Sequence, residues 1–463
     1  MSYIHIVRRL SRSRSIVSIA AIGALAGCAN SMVPDLNNAA IADFQSAPTG
    51  AAAGAIAVGL VRGSRDNLAL FLLNIGVLGR EGFEMGVAQG DLPLYTNGPM
   101  TPNTFFVAQM WSGEYADLRA ASTVLDALEK VPDLTTAQKE GLTGFVQTME
   151  AFDLGMLAAS RDTFGIPIAV DISPTGDPAP VAPKAAVYQH IINLLDSAKT
   201  HLQAGGASFS FALPPGFAGF DTPATFLTVN RGLRARADIL TNDYATALTD
   251  LSASFLSESA PLSQGPELDF SNNSGDEANP NFAPFLYAAP QLVTDAQKQA
   301  DNTTLDARVG EKLVTVPSFT LDGITSDVQF TLYNSTVSPE PMLRNEELIL
   351  LRAEAELETG DVASATTDIN FIRANSGSLP PIANPYVPTA NQPTLLDELL
   401  YEKRYSLLWE SGNNWISMRH YNKLNQLPKQ QASERIFPVV PYPLAECQAR
   451  TPQPAGCTTV TGS

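Results

Sequence analysis

Between residues 136 and 163, apolar side chains recur at steps of three and four: Leu142, Phe145, Met149, Phe152 and Met156. An α-helix turns once in 3.6 residues, so this spacing gathers them on one face. Residues 184–204 repeat the pattern with Val187, Ile191, Leu194, Leu195, Ala198 and Leu202, and Gly205-Gly206 closes the segment. Paired stripes follow. Leu233, Ala237 and Leu240 line one helix, Thr241-Asn242-Asp243 turns the chain, and Tyr244, Leu248, Leu251 and Phe255 line the next. Leu343, Leu350, Ala353 and Leu357 form another stripe that stops at Gly360, and Asp361 is placed to cap a helix carrying Val362, Ala365, Ile369 and Ile372. Each pair runs over roughly 34 residues, the length of a tetratricopeptide-type unit. Ala353, Ala355 and Ala365 are small enough to let the paired helices approach closely. A further helix starts at Thr394, where Asp397 completes a capping box, and runs through Leu396, Leu400 and Leu407 to Gly412.

The periodicity fails in two places. Residues 207–222 contain Pro214-Pro215-Gly216, and residues from about 256 to 340 break into Pro, Gly, Asn and Ser clusters with short β-like pieces such as Val328 to Tyr333. A stretch this long inside a compact domain usually carries function. The expected fold is therefore mainly α: tetratricopeptide-like helix pairs with a large irregular insert of loops and short strands. Residues 51–463 read as a single domain and 29–50, rich in Ala, Asn, Pro and Ser, as a tether.

The N-terminus changes the picture. Arg8, Arg9, Arg12 and Arg14 precede an apolar stretch from Ile16 to Ala26, the layout of a secretory signal peptide over 1–27. The stretch is too short for a permanent membrane span. It ends in Leu25-Ala26-Gly27-Cys28, which resembles the bacterial lipobox and makes Cys28 the expected acylated first residue of the mature chain, with the anchor and tether over 28–50. Ala29 stands where retained inner-membrane lipoproteins commonly carry Asp, which favours the outer membrane. Cys447 and Cys457 read as one local disulfide in an oxidising exported compartment, with two free thiols as the alternative. Loss of residues 1–27 removes four Arg and no acid, leaving 25 basic against 47 acidic residues and a net charge of −22. Such an excess repels phosphate backbones and argues against nucleic-acid binding.

Little in the chain points to catalysis. Beyond the signal segment only His190, His201 and His420 exist, and the first two are eleven residues apart on a predicted helix, too far to share a metal. The sequence contains no H-E-x-x-H and no G-x-S-x-G motif. Asp269 to Asn279 puts Ser274 where a calcium loop needs Gly, so it reads as a solvated loop. No cofactor or metal is expected. Binding is easier to defend, because polar solutes are held by aromatic faces with amide and carboxylate partners. Phe83, Tyr95 and Asn97 lie in the Gly- and Pro-containing linker 82–106, with Phe105 and Phe106. Phe282, Phe285 and Tyr287 lie in the insert. Any of these can equally fasten its loop to the scaffold. Trp409 and Trp415 read as core.

The C-terminal blocks carry a family resemblance. Leu351-Arg352-Ala353-Glu354-Ala355 followed by Ile369-Asn370-Phe371-Ile372-Arg373 resembles the "AEA … IN-x-IR" pattern of the SusD/RagB family. Glu402-Lys403-Arg404 through Gly412, Trp415 to Arg419, and Phe437-Pro438 with Pro443 to Glu446 are similar to its later motifs. Phe164 to Pro167, Val187-Tyr188 and Arg234 to Ala237 agree in order. The resemblance implies helix pairs packed against an irregular ligand-binding half, anchored to the membrane by lipid. It also implies capture of oligosaccharides or peptides beside a SusC-like TonB-dependent outer-membrane transporter. Ser411 and Asn413-Asn414 depart from the pattern, and no binding residue is carried over by motif. The alternatives are a tetratricopeptide-type assembly adaptor of the outer membrane and a surface glycan hydrolase.

Overall fold

A computed structural model of the chain describes residue 44 and residues 47–86, 98–170, 176–390, 392–410 and 413–463. Cys28, the signal segment, Tyr95 and Asn97 lie outside the described residues. The first long helix, α1 (Gly50–Leu78), starts where the Thr49 hydroxyl accepts from the Ala52 amide. It buries adjacent residues such as Leu60-Val61 and Phe71-Leu72, so it is covered on several faces and shows no single apolar stripe. β1 (Gly82–Glu84), α2 (Phe105–Gln109), α3 (Ser112–Leu128) and α4 (Thr136–Arg161) follow, the last opened by a Thr135–Gln138 capping box. After the short strands β2 (Ile166–Pro167) and β3 (Val181–Ala182) comes α5 (Lys184–Ala204), with the bounds its periodicity predicts. α6 (Pro223–Leu240) and α7 (Tyr244–Ser252) form the expected pair, with Asp243 capping the second. The irregular stretch before them is an aromatic plug: Phe209 and Phe211 pack on Phe145 with ring centroids 5.6 and 5.1 Å away.

Residues 253–344 leave the helical array and return to it. Their elements are β4 (Glu267–Leu268), β5 (Leu286–Ala288), α8 (Gln291–Thr294), α9 (Ala307–Lys312), β6 (Leu313–Leu321), β7 (Ile324–Phe330) and β8 (Glu340–Pro341). β4 and β8 pair antiparallel, so the way in and the way out lie side by side. Asn345 reinforces this clasp by donating to the Ser257 carbonyl at 2.7 Å and accepting from its amide at 2.9 Å. β6 and β7 form a hairpin that turns at Asp322-Gly323, both at positive φ, the Asp-Gly chemistry such turns favour. The sheet order is β1-β5-β7-β6, so a strand that follows α1 is stitched to the insert.

The array resumes with α10 (Asn345–Glu358), α11 (Val362–Asn375), α12 (Leu395–Ser406) and α13 (Asn413–His420), and α14 (Leu444–Gln448) lies near the C-terminus. Asp361 caps α11, and Thr394 and Asp397 form the capping box of α12. α10 packs on α7 across the excursion, and α13 packs back on α1. The chain is mainly α, with helix pairs and a loop-and-strand insert. One expected boundary moves: α12 ends at Ser406 and does not reach Gly412. Trp409 takes a positive φ of 58°, which turns its indole into the core. There it fills space left by Gly76, where a Cβ would sit 2.5 Å from the ring. Phe330 packs beside it at 4.7 Å between ring centroids. Trp409 and Trp415 are both buried, as core residues should be. Cys447 and Cys457 form a disulfide with their Cα atoms 5.5 Å apart. No helix among the described residues is long and apolar enough to cross a membrane.

Candidate functional site: an aromatic edge on the insert

The pairing of β1 with β5 brings three of the sequence-predicted aromatics to one place. Phe83 on β1 stands opposite Tyr287 on β5, and the Met85 amide donates to the Phe285 carbonyl at 2.7 Å. Their roles then diverge. Phe83 is 2% exposed and packs with Met85, Ala289 and Ile324, so it fastens the sheet and cannot meet a ligand. Tyr287 is half-buried and stacks on Phe319 of β6, with centroids 5.7 Å apart and rings 21° from parallel. Phe282 and Phe285 are 43% and 37% exposed. Apolar side chains left open to water mark a site of contact where they cluster into a patch, and here two lie three residues apart on one loop.

Two buried asparagines hold this edge in place. Asn279 donates to the Ser338 carbonyl at 2.9 Å and accepts from the Asn281 amide at 2.7 Å. Asn281 donates to Glu340 at 2.6 Å and to the Ala69 carbonyl of α1 at 3.1 Å, and accepts from the Trp409 indole at 2.9 Å. Burial pushes the Glu340 carboxyl up to about 8, against the pull of the Asn281 and Asn279 hydrogen bonds. The amide that binds Trp409, α1 and Glu340 together thus sits one residue before Phe282. On the far side, Gln329 of β7 donates to the Pro284 carbonyl at 2.7 Å. The backbone under the exposed rings is tied down at both ends, so the rings are presented on a rigid support. A flat aromatic face so held can stack on the apolar face of a sugar ring or on an apolar side chain.

The Asp269–Asn279 stretch is a loop exposed at residues 272–275, as expected, and is tied to the scaffold through two of its acids. Asp276 pairs with Arg65 of α1 at 2.8 Å, and Asp269 accepts from the Gly216 amide at 2.6 Å. A second concavity, about 770 Å³, opens where the insert meets α10 and α11, lined by Asn334, Asn375, Glu311 and a buried ionic floor. In that floor Arg344 is held between Glu346 and Glu410, with Lys312 alongside. Burial alone would raise Glu346, but Arg344 and Lys312 hold its carboxyl down at about 2. Burial lowers the Lys312 ammonium to about 8. Of the histidines, His201 contacts Glu140 at 2.5 Å and His420 lies 3.4 Å from the Tyr244 hydroxyl. Among the described residues no group of three or more His, Cys, Asp or Glu is arranged to hold a metal ion.

No family model matches the sequence, and no curated protein matches it. Solved structures do match. A SusD superfamily protein from Bacteroides vulgatus superposes with a TM-score of 0.62 at 13% identity, over 86% of this chain and 97% of that one. NanU of B. fragilis gives 0.62 at 15% identity, over 92% and 99%. A SusD-like carbohydrate binding protein from Bacteroides vulgatus gives 0.61 at 15%, over 81% and 83%. The likeness lies in the fold: this chain has the SusD-like architecture of helix pairs around an irregular insert. The C-terminal motifs implied that architecture.

Proposed function

We propose that the chain is a SusD/RagB-type nutrient-binding lipoprotein of the bacterial outer membrane. In this reading Cys28 carries the lipid anchor, the helix pairs form the scaffold, and the insert captures an oligosaccharide. The captured ligand passes to a SusC-like TonB-dependent transporter, and the chain performs no catalysis itself. The observation that carries the reading is the exposed pair Phe282 and Phe285 on a backbone pinned by Asn279 and Asn281, within a SusD-like fold. Tyr287 is proposed to complete the contact surface, and Tyr95 and Asn97, outside the described residues, are proposed as further ligand contacts. That a neighbour in fold is described as carbohydrate binding supports a glycan over a peptide.

The test is calorimetric titration of the purified chain with a panel of oligosaccharides and peptides. One glycan class should bind, and Phe282→Ala with Phe285→Ala should weaken it at least about tenfold, the loss of roughly 1.4 kcal/mol of stacking. Detergent extracts of the native membrane should yield a TonB-dependent barrel with the tagged protein, and Cys28→Ala should release the chain from the membrane. Peptide capture that survives Phe282→Ala with Phe285→Ala, with no TonB-dependent barrel recovered, would support the assembly-adaptor alternative; sugar release from the panel would support a hydrolase.

A further inference from the structure

The junction of α1, α3 and α4 gathers three carboxylates, two buried and one half-buried, and none of them is ion-paired among the described residues. Glu114 of α3 is fully buried and Asp153 of α4 is 1% exposed. Asp117 lies one turn after Glu114, and Gly63 of α1 leaves the space its carboxylate occupies. Their hydrogen bonds come from neutral groups: Ser64 to Asp153 at 3.1 Å and Asn67 to Asp117 at 2.8 Å. Both Glu114 oxygens and Oδ1 of Asp153 have no hydrogen-bond partner among the described residues.

The charged groups around them do not repair this. On α1, Arg65 is drawn to Asp66 and Asp276, and Arg62 to Asp276, while Asp66 adds its own negative charge beside Asp117. On α4, Glu150 is another buried acid. Arg161 is the cation that Glu114 feels, but the two form no ion pair: its Nη atoms donate to the carbonyls of Met110 and Val107, at 2.6 and 2.8 Å, and to Ser160, and its Nε has no hydrogen-bond partner among the described residues. An ionised carboxylate left unpaired in such a place is costly, and a protonated one can donate where its ionised form cannot.

We propose that this junction is a proton-operated latch: Glu114, Asp117 and Asp153 hold α1, α3 and α4 together while they carry protons and loosen them on losing those protons. Burial, reinforced for the two aspartates by the neighbouring acids, raises Glu114 to about 7, Asp117 to about 8 and Asp153 well above its usual range. Raised acids bind more protons folded than unfolded. Stability from this junction therefore falls as pH rises from the ordinary carboxylate range through about 7 to 8.

Hydrogen exchange of the full chain tests this. Between pH 6 and pH 9, exchange in α1, α3 and α4, corrected for its intrinsic rate, should rise at least about tenfold more than in α10 and α11. In Glu114→Gln with Asp153→Asn, two near-isosteric changes, that excess should fall below about threefold. Calorimetry supplies a second reading: unfolding near pH 6.5 should release protons to the buffer, and fewer of them from Glu114→Gln with Asp153→Asn than from the unsubstituted chain. An equal rise in both regions, an excess that survives the double substitution, or unfolding without proton release would each overturn the latch.

Discussion

The two ends of the helical array bury acids in opposite ways. At the α10–α12 end, Glu346 and Glu410 flank Arg344 with Lys312 beside them, and Glu346 stays ionised down to about pH 2 despite its burial. At the α1–α4 end, Glu114 and Asp153 are as deeply placed and have no such partner, and their carboxyls rise. Burial is common to both, so the supply of cations decides the protonation state. An intermediate case sharpens the rule. Glu402 lies between Arg308 and Arg373, but those guanidiniums also serve Asp306 and Glu398, and burial still pushes Glu402 up to about 7. What matters is the supply of cations, ammonium included, within one buried cluster: two for two carboxylates around Arg344 and Lys312, but two for three around Arg308 and Arg373.

Breaking the rich end should cost most. Arg344→Leu leaves Glu346 and Glu410 buried without their main partner, and urea denaturation should register a loss of about 3–5 kcal/mol. A midpoint within experimental scatter of the unsubstituted protein would refute the pairing argument. The acid limb of stability separates the two ends next. A depressed carboxylate such as Glu346 stabilises above its unfolded value, near 4.5, and loses that contribution as pH falls through about 2. Exchange protection in α10 and α12 should therefore weaken below about pH 4, where the α1–α4 junction is at its firmest. Uniform weakening along the chain would erase the distinction.

Smaller effects check the scaffold without touching either cluster. Thr394→Ala removes a side chain that accepts from the Asp397 amide at 3.1 Å, and chemical denaturation should show a loss of about 1 kcal/mol. Smallest of all, Phe282→Ala should shift stability by less than about 0.5 kcal/mol, because the side chain is on the surface and 43% exposed. A large destabilisation by that change would recast Phe282 as packing and leave the binding edge without its main support.

Much of the scaffold was legible because its signals are local. Lys184–Ala204, the Tyr244 turn, the Asp361 cap and the Thr394 box each depend on residues a few positions apart. α1 escaped notice because neighbours cover several of its faces, so no stripe stands out. The end of α12 was misplaced because Trp409 obeys a distant demand, the space beside Gly76, and not its own helix. The binding edge was half legible. Aromatic residues in loops could be named from sequence, but only the packing of the folded chain separates the buried Phe83, under Met85, Ala289 and Ile324, from the open Phe285. Asn279 and Asn281 gave no warning at all, since a buried amide looks in sequence like any other loop residue.

The clasp of β4 with β8 has a consequence for how such a protein can change over generations. Because the excursion begins and ends at one point, residues can be added or deleted between Leu268 and Glu340 while the helices on either side keep their contacts. The entropic penalty of lengthening a loop grows only with the logarithm of its length, about 0.6 kcal/mol per doubling. A lineage can therefore explore new surfaces in the insert at small cost, while the frame that displays them stays the same.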